Sequence, residues 1–180
     1  MGPRLPIEAK SGVVRTVTVL SVDPIANDHV ALRQIFSRSQ WSLCPNAKWT
    51  LTTSPTAESA IATIRQNPIP ILLCGCDRQP NIWKEMLEAF TPLSHPPLLI
   101  VTSRTADERL WAEALNLGAH DVLAKPFDQD EVTRVVSLAW LHWKVRRDRL
   151  PQLPAEWREP DTQENRQGLE SRVAAGAGRH

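Results

Sequence analysis

Residues 118–127 read Gly118-Ala119-His120-Asp121-Val122-Leu123-Ala124-Lys125-Pro126-Phe127. A glycine directly after an apolar stripe at helical spacing marks a helix C-terminus. The helix it closes runs from about Ala106 to Leu117. Asp121 to Ala124 has the length and composition of one short strand, and Pro126 punctuates its end. Asp128, Asp130 and Glu131 then open a last helix, as carboxylates placed where the helix dipole favours them. Its stripe is Val132, Val135, Val136, Ala139, Trp140 and Trp143, and Lys144, Arg146 and Arg147 lie near its end, where cations are favoured.

The same alternation extends back to residue 17. VTVLSV (Val17 to Val22) is the first strand, followed by a helix with Val30, Leu32, Ile35 and Phe36 facing inward. WTLTT (Trp49 to Thr53) is a short second strand. Ser54-Pro55 supplies an N-cap and a first-turn proline for a helix striped by Ala57, Ala60, Ile61 and Ile64. ILLC (Ile71 to Cys74) is the third strand, and Ile82, Trp83, Met86, Leu87 and Phe90 stripe the third helix. LLIV (Leu98 to Val101) is apolar throughout, as a strand covered on both faces should be. Pro24, Pro55, Pro68, Pro70, Pro97 and Pro126 all fall between these segments. Five strands alternating with five helices predict an α/β fold: a doubly wound, five-stranded parallel sheet of order 2-1-3-4-5, the flavodoxin-like arrangement, with helices on both faces. In such sheets a ligand site lies beyond the carboxyl ends of the strands, at the switch point between strands 1 and 3. That rule directs attention to Asp23-Pro24, Gly75-Cys76-Asp77, Thr102-Ser103 and Lys125-Pro126.

The chain has 180 residues, enough for one domain with some spare length. Hydrophobic residues are 42% and charged residues 23%, which excludes a wholly disordered, collagen-like or coiled-coil chain. No apolar run reaches the ~18 residues of a membrane span, and no apolar segment follows Arg4, Lys10 and Arg15 to make a signal peptide. The formal net charge of +1 is a cancellation. Residues 17–143 carry 10 basic and 13 acidic side chains (−3), residues 1–16 carry 3 and 1 (+2), and residues 144–180 carry 8 and 6 (+2). No dense basic face for nucleic acid is expected. The expected organisation is a flexible N-terminal extension over 1–16, one domain over 17–147, and a mostly disordered, proline-bearing tail over 148–180, too short and polar for an output domain.

The stretch 118–127 resembles the fifth strand of response-regulator receiver domains, where the pattern is G-A-x-D-[aromatic]-L-x-K-P-F. The likeness extends over roughly 17–147. Thr102, at the end of LLIVTS, matches that family's hydroxyl position. Asp23 matches the first of its paired acids, and Leu32 matches its first-helix leucine. The resemblance implies a module in which a strand-3 aspartate accepts a phosphoryl group from a histidine kinase. Mg²⁺ would be held by carboxylates and phosphate oxygens, and Lys125 would pair with the phosphoryl group as a point charge.

The sequence departs from that pattern where it matters most. Pro24 replaces the second acid, and Val122 replaces the strand-5 aromatic. The ungapped register of ILLC puts Gly75, which has no nucleophile, at the phosphoacceptor position. A strand two residues longer would instead make Asp77 the acceptor. In the Gly75 register, Asp77 falls where the family offers a backbone carbonyl to Mg²⁺, and its side chain would partly replace the missing acid. Asp23 and Asp77 are therefore the candidate metal ligands, for Mg²⁺ alone, and no cofactor is expected otherwise. The plainest role for Lys125 is a pairing with Asp23 that holds two loops together.

Other features carry less chemistry. Cys74 and Cys76 form a single C-x-C with no second pair and no histidine cluster, so they read as packing residues. With Cys44 they make three, too few for a disulfide framework, which favours a reducing, cytoplasmic setting. His29, His95, His120, His142 and His180 show no ligand spacing and read as surface or loop residues. Trp111, Val122 and Trp143 would lie on the face of helix 4, strand 5 and helix 5, which receivers use for dimerisation, and are candidates for a partner surface. The run KVRRDR (Lys144 to Arg149) reads as a solvated helix end. The expected function is an atypical receiver-like module, not an enzyme. It would act by protein–protein contact in two-component or phosphorelay signalling with phosphorylation lost. Its partner would be a signalling protein or histidine kinase, with a homodimer allowed, and neither nucleic acid nor membrane is expected. A conventional Mg²⁺-dependent receiver using Asp77 is the alternative. A small flavin- or nucleotide-binding enzyme of the same topology is the third reading, weakened because DPIAND after strand 1 is no anion loop.

Overall fold

The computed structural model describes residues 15–149. In chain order the elements are β1 (Arg15–Val22), α1 (Ala26–Arg38), β2 (Ala47–Ser54), α2 (Ala57–Gln66), β3 (Ile71–Gly75), α3 (Ile82–Phe90), β4 (Leu98–Ser103), α4 (Glu108–Leu117), β5 (Asp121–Ala124) and α5 (Gln129–Arg149). The strands form one parallel sheet in the order β2-β1-β3-β4-β5. The expected extension and tail lie outside the described residues, except that Arg15 and Thr16 open β1 and Asp148 and Arg149 end α5.

Successive side chains of a strand point to opposite faces, and the core divides accordingly. Val17, Val19, Ile71, Leu73, Leu98, Ile100 and Leu123 join Leu32 and Ile35 of α1 and the inner stripe of α5. Leu20, Val22, Leu72, Cys74, Leu99, Val101 and Val122 join α2, α3 and α4 on the other face. All six expected stripe residues of α5 are buried, from Val132 to Trp143. Gly118 closes α4 in the left-handed region at φ 103°, where a side chain would be strained.

Three local readings are corrected. Val30 is 47% exposed, while His29 turns inward with Asp28, Leu32 and Ile35, because positions 28/29, 32 and 35 share one face at 3.6 residues per turn. Ser54 is the last residue of β2 and not a cap. Thr56 caps α2, its side chain accepting from the Ser59 N–H. β2 is also longer than WTLTT, pairing with β1 over its full length from Arg15↔Ala47 to Val22↔Ser54.

Candidate functional site

The strand register assembles the site. Val22, Cys74, Val101 and Val122 lie in one row across β1, β3, β4 and β5. One residue further, Asp23 leaves β1, and Gly75 of β3 pairs with Thr102 of β4. By the two-residue period, Asp23, Gly75 and Thr102 belong to the face that carries α1 and α5, as does Lys125 two residues beyond Leu123. The topology therefore brings Asp23, Gly75, Asp77, Thr102 and Lys125 to one end of the sheet. Pro24 and Pro126 stand exposed at its rim, and the Lys125–Pro126 peptide is cis.

Lys125 is the hub. Its ammonium donates to Asp23 Oδ2 at 2.6 Å, to Asp77 Oδ2 at 2.8 Å and to Asp28 Oδ2 at 2.9 Å. An ammonium has three N–H donors, and here each finds a carboxylate. The lysine side chain is 1% exposed. A second cation completes the network. Arg104 forks onto Asp28, with NH2 to Oδ1 at 2.7 Å and NH1 to Oδ2 at 3.1 Å, and NH1 also reaches Asp77 Oδ2 at 2.7 Å. Asp77 Oδ1 accepts the Arg104 backbone N–H at 2.7 Å and the Ser103 hydroxyl at 3.2 Å. Asp23 Oδ1 accepts the Ile25 N–H at 2.8 Å, closing a turn at the head of α1.

Three carboxylates thus face two cations, and the cluster retains one formal negative charge. Burial by itself would raise the Asp28 carboxyl, but hydrogen bonds from Arg104 and Lys125 outweigh it and hold the group below the usual carboxylate range. The Asp77 carboxyl is likewise low: the Arg104 backbone N–H and the Lys125 ammonium overcome the cost of burial. Burial would lower the Lys125 ammonium, yet its bonds to Asp23, Asp77 and Asp28 push it above the ordinary lysine value. Both cations and the two shifted acids are charged at neutral pH.

Asp28 and Arg104 are the residues that sequence reasoning missed. Asp28 sits in the first turn of α1, where an acid is explained by the helix dipole alone. Its burial beside His29 is what turns it into the site. Arg104 follows β4 in a loop and carries no sequence signal beyond adjacency to Thr102 and Ser103. Asp28 brings a second buried carboxylate onto Lys125 beside that of Asp23, from the first turn of α1.

Gly75 ends β3 against the carboxylate of Asp23. A Cβ built on Gly75 would overlap the Asp23 carboxylate, with the Asp23 Cγ only 2.5 Å away. The space a side chain at 75 would enter is already filled. A cleft of about 500 Å³, lined by Cys76, Asp77, Ser103, Arg104, Arg109 and Leu110 among others, borders the network on the side of Asp77 and Arg104.

The donor chemistry of a divalent cation is present, since oxygens of Asp23, Asp28 and Asp77 lie within 4.8 Å of one another. The arrangement does not fit one. Lys125 bonds all three carboxylates, and Asp77 already accepts four hydrogen bonds, the full complement of a carboxylate. Mg²⁺ requires near-octahedral oxygen ligands with several retained waters, and this cluster offers such an ion no free carboxylate face at Asp77.

The expected partner surface is corrected. Val122 is fully buried against α2, α3 and α4. Trp143 is 7% exposed, packs in the α1/α5 core, and donates its indole N–H to the Pro96 carbonyl at 3.2 Å. Trp111 is half-buried against the opposite cluster. An indole large enough to cover an interface is equally suited to fill the space under a long helix. The outward apolar residues of this region are instead Leu115 and Leu117 on α4 and Leu138, Leu141 and Val145 on α5, which are 38–55% exposed. His29 is buried rather than at the surface, and His120 packs edge-on against His142 at 5.1 Å. Cys44, Cys74 and Cys76 are buried thiols, and burial drives Cys74 far above the ordinary thiol value.

No family model matches the sequence, and no curated protein matches it. Among solved structures, the signal receiver domain of an HD domain-containing protein from Pseudomonas fluorescens Pf-5 aligns at 21% identity and TM-score 0.63, over 79% of this chain and 99% of that one. A response regulator from Thermotoga maritima aligns at 19% identity and TM-score 0.57, over 70% and 98%. A CheY-like receiver domain protein from Methanospirillum hungatei JF-1 aligns at 15% and 0.58, over 73% and 98%. The fold of this chain is that of a response-regulator receiver domain.

Proposed function

We propose that this chain is a receiver-type signalling module of two-component systems that works by protein–protein contact and no longer takes a phosphoryl group. The observation that carries the reading is the joint state of Gly75 and Lys125. The end of β3 has no nucleophile and no room for one, and all three donors of Lys125 are held by aspartates. A phosphoryl group would have to break those bonds and bring negative charge toward three carboxylates.

The Asp77 alternative is weaker on the same geometry. Covalent catalysis needs an available oxygen lone pair, and Asp77 accepts from Ser103, Lys125 and twice from Arg104. The flavin or nucleotide reading loses support from the charge of the pocket, because three carboxylates repel phosphate. Partner contact is assigned to the outward leucines of α4 and α5, and the partner is a protein, with a second copy of this chain included. A reducing, cytoplasmic setting suits three buried, unpaired thiols. Among the described residues no helix is long and apolar enough to cross a membrane.

The test is intact-mass spectrometry of the full chain after incubation with acetyl phosphate and Mg²⁺. No mass gain is expected. A phosphoryl adduct that disappears in Asp77→Asn would overturn the reading in favour of the Asp77 receiver.

A further inference from the structure

Receiver folds place acids at the end of the sheet to hold a divalent cation, and here the acids are present while the seat is taken. Asp77 has no unused acceptor site. Asp28 accepts on both oxygens from Arg104 and on one from Lys125. The two cations that satisfy these groups come from the loops after β4 and β5, and the acids come from the loop after β1, the first turn of α1 and the loop after β3. The Arg104 ties span 76 residues to Asp28 and 27 residues to Asp77, and the second is doubled by the Arg104 backbone N–H. A guanidinium suits this position because its rigid planar fork can satisfy two carboxylates at once.

We propose that Arg104 and Lys125 replace the divalent cation: the chain's own cations balance Asp23, Asp28 and Asp77, exclude Mg²⁺, and pin the loop between β4 and α4 to α1 and to the loop after β3. The inference rests on the reading that the pocket takes no phosphoryl group, but it concerns the cation and is read separately. The arrangement makes the geometry at this end of the sheet independent of metal supply. It holds the entry to α4 in one position, where Asp107 caps the helix by accepting from the Leu110 N–H at 2.8 Å.

The test uses the full chain and Arg104→Gln, which removes the positive charge. Mn²⁺ binding is followed by loss of the free-ion electron paramagnetic resonance signal. Melting temperature is followed with and without millimolar Mg²⁺, and hydrogen exchange is followed at residues 104–107. The unmodified chain should show no saturable Mn²⁺ binding, a melting temperature indifferent to Mg²⁺, and slow exchange at the Arg104 amide. Arg104→Gln should gain saturable Mn²⁺ binding, melt higher in Mg²⁺ than without it, and exchange faster at 104–107. If that variant does not fold, Arg104→Lys, which keeps the charge and loses the fork, should show the faster exchange alone. Saturable Mn²⁺ binding by the unmodified chain would overturn the inference, as would unchanged exchange in either variant or no gain of Mn²⁺ binding in Arg104→Gln. Mn²⁺ binding without an acetyl-phosphate adduct would remove this inference and leave the phosphorylation reading standing.

Discussion

Lys125 Nζ and Asp23 Oδ2 meet at 2.6 Å across 102 residues of sequence, and both side chains are almost completely buried. Each is there because of the other. A buried lone ammonium or carboxylate is costly, and a pair is tolerated when its remaining hydrogen-bonding groups are satisfied. Asp28 and Asp77 satisfy the rest of Lys125, and the Ile25 N–H bonds the second oxygen of Asp23.

Replacing the hub should therefore be severe. Lys125→Met leaves three carboxylates at one site with Arg104 alone to balance them. Removing one partner of a buried ion pair costs about 3–5 kcal/mol, and urea unfolding should register a loss of that order. Lys125→Arg should recover little of it, because a planar guanidinium cannot aim at three carboxylates as a tetrahedral ammonium does. Near-unmodified stability in either variant would count against the hub role.

Gly75 and Asp23 should prove energetically coupled. A methyl group at 75 overlaps the Asp23 carboxylate, and overpacking of this kind costs about 1–3 kcal/mol. In an Asp23→Ala background the obstruction is absent, so Gly75→Ala should cost distinctly less there. A double-mutant cycle by denaturant unfolding measures the difference, and simple additivity would contradict the proposed clash.

The acid limb of the stability profile has a defined sign. Asp28 and Asp77 titrate below their ordinary value in the folded chain, so on acidification the unfolded state binds their protons first. Their contribution is full above the unfolded carboxylate value of about 3.9. It is lost as pH falls through the lower folded values. Asp28→Asn should lower stability at neutral pH and flatten the decline below about pH 4. On the alkaline side Lys125, raised above 10.5, contributes below that value and loses its contribution as pH rises through the folded one.

His29 predicts a second, milder slope. Burial lowers its imidazole, outweighing the opposite pull of Asp23, and its Nε2 finds no hydrogen-bond partner among the described residues. The unfolded chain then takes up the proton near pH 6.5 while the folded chain resists. Stability should fall as pH drops through that region. His29→Met, similar in size and unable to ionise, should flatten the slope in melting curves from about pH 5 to 8.

The outward stripe of α5 can be tested without touching the core. Leu138→Glu with Leu141→Glu should change unfolding free energy by no more than about 0.5 kcal/mol per site, the usual range for surface substitutions. The same variant should lose any concentration-dependent self-association seen by sedimentation. Self-association that survives the double substitution would move the contact elsewhere.

The sequence alone determined the order of the elements, and with it the fold. The apolar stripes and strand-length runs are local patterns, and a right-handed parallel alternation of five strands leaves few sheets to choose from. Gly118 to Phe127 placed Lys125 at a strand end in the same way, and Asp23, Gly75 and Thr102 followed because each ends a recognisable apolar run. Local pattern could not show that Asp28, in the first turn of α1, bonds Lys125, that Arg104 reaches back across the sheet end, or that Trp143 and Val122 lie inside. Those facts depend on which strands are neighbours and on which side chains must find partners once buried. A carboxylate in a first turn or an arginine in a loop looks the same in sequence whether it faces water or a buried ammonium. Only the tertiary structure, by withdrawing water from one side of Asp28 and from Lys125, turned three aspartates and two cations into a single closed network.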